Sequence, residues 1–92
     1  MDSVVKYRDK SMKSVEIEAV IFDGTISSVS DILNTNFVWL DRHPYRNHVY
    51  LNIPSTEGAM TAKVGDYIIC DEGEIYLCKP HAFEQIYEKS TL

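Results

Sequence analysis

The chain has 92 residues, of which 45% are hydrophobic, and its formal net charge is −5 at pH 7. This length suits a single domain with one core, because domains commonly contain about 100–150 residues. No apolar run approaches the roughly 18 residues that a membrane-spanning helix needs, and residues 1–12 lack the apolar stretch of a signal peptide. We therefore expect a cytoplasmic protein that does not enter a membrane.

Positive charge is concentrated at the start of the chain. Residues 1–13 contain four cations and two carboxylates, a local charge of +2, so the rest of the chain sums to −7. Such an acidic body is unsuited to binding duplex DNA, because that affinity comes from neutralising phosphates. We interpret residues 1–13 as a basic N-terminal arm and residues 14–92 as a single α+β domain.

The arm places an aromatic ring between two cations, in Lys6-Tyr7-Arg8. In one interpretation Tyr7 folds back over the edge of the core. In the other, the ring and the charges bind a small anionic aromatic ligand such as a nucleotide.

The first elements are a strand and a short helix. Residues 15–22 alternate in side-chain character, which predicts a strand that enters the middle of a sheet. Ser28-x-x-Asp31 has the spacing of a short capping box, and the apolar residues that follow recur at helical spacing. We therefore predict a short helix that ends near residues 34–36.

Four later segments are predicted as strands, namely residues 48–53, 59–62, 67–70 and 74–78. The apolar run 37–40 fits either a strand or the end of the preceding helix. Pro80 suits the first turn of a final helix that carries Phe83, Ile86 and Tyr87 on one face. The predicted fold is α+β, a small, mostly antiparallel sheet of about five strands with one short helix after the first strand and one C-terminal helix.

Two turns are predicted between the last three strands. Gly65 supplies a positive φ, and the Asp66 carboxylate is expected to bind nearby backbone N–H groups. Gly73, in Asp71-Glu72-Gly73, marks the tip of a hairpin.

Residues 41–47, DRHPYRN, form the most polar connection in the chain. Loops carry binding residues disproportionately, so Arg42, His43, Tyr45 and Arg46 are candidate partner-binding residues. The same residues also fit an ordinary exposed hairpin tip.

No set of residues forms a catalytic or metal-binding signature. Glu16 and Glu18 share a strand face, but no nucleophile or metal partner follows them. Cys70 and Cys78 lack Cys-x-x-Cys spacing, and the three histidines do not complete a zinc site. There is also no Gly-rich phosphate loop. We predict a non-enzymatic protein with no metal, no cofactor and two free, partly buried thiols.

A set of motifs carries a family resemblance. The motifs are Lys6-Tyr7-Arg8, Val15-Glu16-Ile17-Glu18-Ala19, Gly65-Asp66-Tyr67, Gly73-Glu74-Ile75-Tyr76-Leu77-Cys78-Lys79-Pro80 and Phe83-Glu84-Gln85-Ile86-Tyr87. In them the chain resembles a widespread family of small phage and prophage proteins. Val64 stands where that family tends to have proline, and the spacer between Arg8 and Val15 differs from the family's shorter junction. The resemblance implies phage origin and a small non-enzymatic protein.

Accessory phage proteins of this kind include inhibitors of host defence, and some of those are oligomeric sponges for nucleotide immune signals. By this analogy, the chain is predicted to sequester a nucleotide-derived immune signal in the host cytoplasm. Tyr7 would stack on the ligand, Arg8 and Lys79 would pair with phosphate, and Asp66 and Tyr67 would hydrogen-bond a base or ribose. The alternatives are an inhibitor or adaptor that binds a host protein, and a small structural phage protein.

The chain is also predicted to self-associate. Six tyrosines, one tryptophan and three phenylalanines are many aromatics for this length, and aromatics at a surface favour interfaces. A small domain with free strand edges also gains stability by covering them with another copy. A homo-oligomer is therefore expected.

Overall fold

The computed structural model describes residues 4–90. Within this range the chain forms eight strands and one helix of seven residues. In chain order the elements are β1 (Val5–Asp9), β2 (Glu16–Ile21), β3 (Trp39–Arg42), β4 (Val49–Ser55), β5 (Gly58–Lys63), β6 (Tyr67–Asp71), β7 (Glu74–Cys78), α1 (Pro80–Ile86) and β8 (Tyr87–Lys89).

Five strands form the large sheet, in the order β7-β6-β2-β1-β8, and every neighbouring pair is antiparallel. The central strand, β2, confirms the strand predicted from residues 15–22. Alternate residues of β2 point to opposite faces, and both faces are buried, since Ala19 and Val20 are 1% and 2% exposed. The large sheet is therefore covered on two sides.

The other three strands form the small sheet, in the order β3-β4-β5, which is also antiparallel. Its buried face meets one face of the large sheet in the inter-sheet core, which comprises Val20, Phe22, Val29, Leu33, Leu51, Ile53, Ala62 and Ile68. On the opposite face of the large sheet, α1 covers the helix-side core, which comprises Tyr7, Ile17, Ala19, Ile69 and Phe83.

The predicted α+β fold is wrong, because strands dominate and lie in two antiparallel sheets. The helix predicted after the first strand does not form, and residues 27–32 are turns instead. Hydroxyl groups there bond to the backbone: Ser28 Oγ donates to the Thr25 carbonyl at 2.8 Å and Ser30 Oγ to the Ser27 carbonyl at 3.0 Å. Such local bonds offer the backbone an alternative to a helix.

The apolar side chains of this segment are buried without a helix. Val29 is fully buried and Leu33 is 8% exposed, both in the inter-sheet core. Val29 and Leu33 thus have helical spacing because both are buried in the core, although the segment between β2 and β3 that carries them is built from turns.

The C-terminal half largely follows the predictions. Pro80 begins α1, and Glu72 and Gly73 adopt φ of 50° and 83° at the tip of the β6–β7 hairpin. Gly65 has a φ of 97° before β6, as predicted. The ambiguous run at residues 37–40 leads into β3.

The predicted basic arm contributes a strand to the large sheet. β1 pairs with β2 on one side and with β8 on the other. Residues 1–3, where the arm begins, lie outside the described range.

Candidate functional site

Tyr7 and Tyr67, two of the predicted ligand-binding residues, belong to an aromatic cluster beneath α1. Tyr67 stacks on Phe83 with ring centroids 3.8 Å apart, and Tyr7 meets the Phe83 ring edge-on at 4.7 Å. Tyr7 is 8% exposed, and its burial, followed by the charge and hydrogen bond of Tyr67, raises its pKa. Tyr7 therefore folds over the core, and its ring is occupied by protein contacts.

Asp66 and Lys79 form an ion pair at the start of β6. Lys79 Nζ lies 3.1 and 2.9 Å from the two carboxylate oxygens of Asp66. Asp66 is 5% exposed and also accepts the backbone N–H of Lys63 at 2.9 Å. This bond confirms the predicted role of Asp66 in binding the backbone of its turn, and both carboxylate oxygens have partners within the protein.

Arg8 is separate from that pair and binds Glu88 on β8. Arg8 Nε lies 2.6 Å from a Glu88 oxygen, and Lys13 Nζ lies 3.2 Å from the same oxygen. The hydrogen bonds from Arg8 and then Lys13 hold the pKa of Glu88 below its ordinary value. Each of the five predicted ligand-binding residues thus contacts another side chain of the protein, and Arg8 has a different partner from Lys79.

The four predicted partner-binding residues do lie together, at the tip of the β3–β4 hairpin. Arg42 ends β3 and donates to Asn47 at 3.3 Å. His43 accepts the backbone N–H of Tyr45 through Nδ1 at 3.1 Å. Tyr45 is 92% exposed and Arg46 is exposed beside it. Among the described residues, neither arginine of this tip forms an ion pair.

A cleft of about 290 Å³ opens beside this hairpin, between the ends of β4 and β5. We name it the hairpin cleft, and it is lined by Asn47, His48, Val49, Tyr50, Lys63 and Val64. No carboxylate is among these lining residues. The hairpin cleft thus combines aromatic, apolar and cationic groups in an acidic protein.

Strand pairing creates this combination. Tyr50 lies directly opposite Lys63 in the β4–β5 register, and the rings of His48 and Tyr50 meet at 6.4 Å with an angle of 66°. Within residues 4–90, the Lys63 ammonium has no carboxylate within ion-pair distance. Sequence reasoning predicted the strand that carries His48 and Tyr50 but missed Lys63, since the register that sets Tyr50 opposite Lys63 joins two strands.

Other groups of reactive side chains offer less. A second cleft, of about 360 Å³, is lined by Glu16, Glu18 and Glu72 with Lys6, and its carboxylates suit neither a phosphate nor another anion. The described residues contain no cluster of three or more potential metal ligands. Over the same range, the one short helix has neither the length nor the apolar character to cross a bilayer.

The two thiols are free and partly buried, as predicted. Cys78 lies opposite Tyr67, whereas Cys70 lies opposite Ile75, so the cysteines do not face each other across the hairpin. Burial and then the charge of Asp66 raise the pKa of the Cys78 thiol, which keeps it protonated and weakly nucleophilic.

No protein-family model, curated protein or solved structure matches the chain. The resemblance to phage and prophage proteins therefore stays a prediction from the sequence motifs.

Proposed function

We propose that the chain is a non-enzymatic binding protein that captures an anionic aromatic ligand, of the nucleotide class, in the hairpin cleft. One observation supports this most directly. His48, Tyr50 and Lys63 all line the cleft, Tyr50 lies directly opposite Lys63 in the strand register, and no carboxylate is among the lining residues.

Each part of such a ligand has a matching group in the hairpin cleft. Stacking of a base on an aromatic side chain contributes about 1–3 kcal/mol, and Tyr50 and His48 offer such rings. A lysine ammonium binds phosphate as a point charge, which Lys63 can supply. Val49 and Val64 provide the apolar walls common in ligand sites. The small volume suits a mononucleotide rather than a long strand.

Two nearby arginines favour an anion, and the Asp41 carboxylate, on the strand residue opposite Tyr50, accepts a hydrogen bond from the Asn52 side-chain amide at 2.8 Å. Arg42 and Arg46 lie on the adjacent hairpin without ion-pair partners in the described part of the chain. The protein as a whole carries −5, so a local cationic surface is needed to attract a phosphate at all.

In biological terms, the proposal is a phage accessory protein that sequesters a nucleotide-derived immune signal in the host cytoplasm. The ligand chemistry is supported by the hairpin cleft, and the phage setting by the sequence motifs alone. The proposed site differs from the residues first predicted, namely Tyr7, Arg8, Asp66, Tyr67 and Lys79, whose side chains contact other side chains of the protein.

The cleft can be tested with adenosine monophosphate and adenosine as probes, by isothermal titration calorimetry. We expect binding of the phosphorylated probe, weaker binding of adenosine, and an affinity that falls as salt screens the charge. Lys63→Ala should lower the affinity for adenosine monophosphate about tenfold, because it removes a charge-assisted contact of about 1.5 kcal/mol or more. Lys89→Ala is the matched control, since Lys89 is an exposed lysine on β8 of the large sheet.

Equal affinities for the two probes, or equal losses in the two lysine variants, would contradict the proposed site. If Arg8→Ala and Lys79→Ala lower the affinity for adenosine monophosphate and Lys63→Ala does not, the ligand binds at the residues first predicted from sequence.

The projecting hairpin tip favours a second candidate, an inhibitor or adaptor that binds an acidic host protein. Tyr45 is 92% exposed, and exposed tyrosine and arginine are the residues that dominate protein interfaces. Native mass spectrometry after exposure to extract of infected, defence-bearing cells separates the candidates. A retained mass of several hundred daltons (about the size of a nucleotide) supports ligand capture. A retained protein that is lost in Tyr45→Ala supports the adaptor.

A further inference from the structure

β3 lies at an edge of the small sheet and has a free side. The strand order β3-β4-β5 gives it one neighbour among the described residues, and all four of its residues are exposed. A free edge presents unpaired backbone groups that can pair with another strand.

The direction of these backbone groups follows from the hairpin. His43 donates its N–H to the carbonyl of His48 at 3.0 Å, which continues the β3–β4 register by one pair. Hydrogen-bonded and non-hydrogen-bonded pairs alternate along antiparallel strands. Asp41 therefore bonds to β4, whereas Leu40 and Arg42 direct their N–H and C=O groups to the free side.

Large apolar side chains cluster at the same edge. Phe37, Trp39 and Leu40 are 64%, 47% and 39% exposed. Phe37 also borders an open apolar groove with Val38 and Pro54. Trp39 and Leu40 point to opposite faces of β3, so each face of this edge carries a large apolar side chain that water solvates poorly.

We propose that this edge pairs with β3 of a second copy of the chain, antiparallel and across a two-fold axis at Leu40. Leu40 then lies opposite Leu40 of the second copy, and the two residues exchange backbone hydrogen bonds. Arg42 lies opposite Val38, and Trp39 lies opposite Asp41. The two small sheets join into one continuous sheet, with Phe37 and Trp39 covering the junction.

Charge excludes two neighbouring registers that would also keep each face of one small sheet continuous with the same face of the other. An axis at Asp41 would set Asp41 against itself, and an axis at Arg42 would set Arg42 against itself, and directly opposed like charges destabilise a strand pair. The axis at Leu40 opposes each charged residue to an apolar one.

Charge also favours pairing of a second copy at the β3 edge rather than at the other free sheet edges. Trp39-Leu40-Asp41-Arg42 has no net charge, so two copies with a charge of −5 each meet where repulsion is small. The free edge of β7 carries Glu74 and adjoins Glu72, which would repel their own copies. β8 has only three residues, and β5 exposes no large apolar side chain.

Analytical ultracentrifugation and amide hydrogen exchange of the full chain test this pairing. The wild type should sediment at twice the mass of the chain at high concentration. Leu40→Lys opposes two ammonium groups across the axis, so the dimer dissociation constant should rise about tenfold or more. Ile21→Lys is the control, because Ile21 is 47% exposed on the large sheet, and it should leave the dimer intact.

Hydrogen exchange locates the contact independently of any variant. The N–H groups of Leu40 and Arg42 should exchange slowly in the dimer and rapidly when the protein is diluted to the monomer. A wild type that stays monomeric would overturn the proposal. So would a dimer that survives Leu40→Lys, or one in which these two amides exchange rapidly.

Discussion

Asp66 holds the turn between β5 and β6 in place. Its carboxylate accepts the Lys63 N–H, its own N–H donates to the Lys63 carbonyl at 3.0 Å, and its carbonyl accepts the N–H of Phe22. Gly65 donates to the Phe22 carbonyl at 2.8 Å. These bonds tie the turn to the end of β2 and hold the backbone of Lys63, which lines the hairpin cleft.

We predict that Asp66→Ala lowers the free energy of unfolding by about 1–3 kcal/mol, because the Lys63 N–H loses its acceptor. Lys79→Ala should cost less than about 1 kcal/mol, since 63% of the Lys79 side chain is exposed and water can replace its ammonium. Urea denaturation of both variants measures the difference. Equal losses would show that the ion pair, rather than the backbone bond, holds the turn.

Glu88 makes the stability of the fold depend on pH in the acid range. The hydrogen bonds of Arg8 and Lys13 lower its pKa in the folded state. A carboxyl group with a lowered folded pKa stabilises the fold above its ordinary pKa, and this contribution is lost as the pH falls through the lowered value.

Glu88→Gln should therefore lower the midpoint of thermal unfolding near neutral pH, and its difference from the wild type should shrink as the pH falls below about 4. Glu84→Gln is the control, because its side chain is exposed on α1 and forms no ion pair with a described residue. A Glu88→Gln difference that persists unchanged in acid would contradict the assigned role of the carboxylate.

At the scale of elements, α1 depends on the packing of one residue. A helix of seven residues is too short to be stable alone in water, and α1 has no side-chain hydrogen bond at its N-cap. Phe83 is its one buried residue and contacts the rings of Tyr7, Tyr67 and Tyr87. The helix is therefore held by the aromatic cluster of the large sheet.

We predict that Phe83→Ala destabilises the protein by about 3–5 kcal/mol, the usual range for deleting a buried phenylalanine. Ile86→Ala, on the same helix, should cost far less, because Ile86 is 44% exposed. Equilibrium denaturation followed by tyrosine fluorescence reports both. A small decrease in the free energy of unfolding of Phe83→Ala would mean that the aromatic cluster does not hold α1 on the sheet.

Elements with local signals could be predicted from sequence, and elements with competing local bonds could not. The β6–β7 hairpin follows from Gly73 and the flanking alternation, and α1 from Pro80. The segment after β2 has helical spacing at Val29 and Leu33, yet Ser28 and Ser30 bond to nearby carbonyls and turns result. Apolar spacing alone does not distinguish a helix from a turn-rich segment with two buried anchors.

At the scale of the whole molecule, the division into two sheets is beyond local reasoning, because strand pairing joins residues far apart in sequence. Tyr7 illustrates this, since an isolated Lys6-Tyr7-Arg8 looks like a solvated arm until β1 is placed between β2 and β8. The hairpin cleft likewise depends on the register that sets Tyr50 opposite Lys63. The exposed tip of the β3–β4 hairpin, which lies within one hairpin, could be found from sequence.

Binding of an anionic aromatic ligand in the hairpin cleft can be tested by an NMR titration of the ¹⁵N-labelled protein with adenosine monophosphate. We expect saturable shifts of the amides of Asn47, His48, Tyr50, Lys63 and Val64, with little change at Arg8 and Lys79. Shifts confined to Arg8 and Lys79, or no saturable shift at any amide, would contradict it.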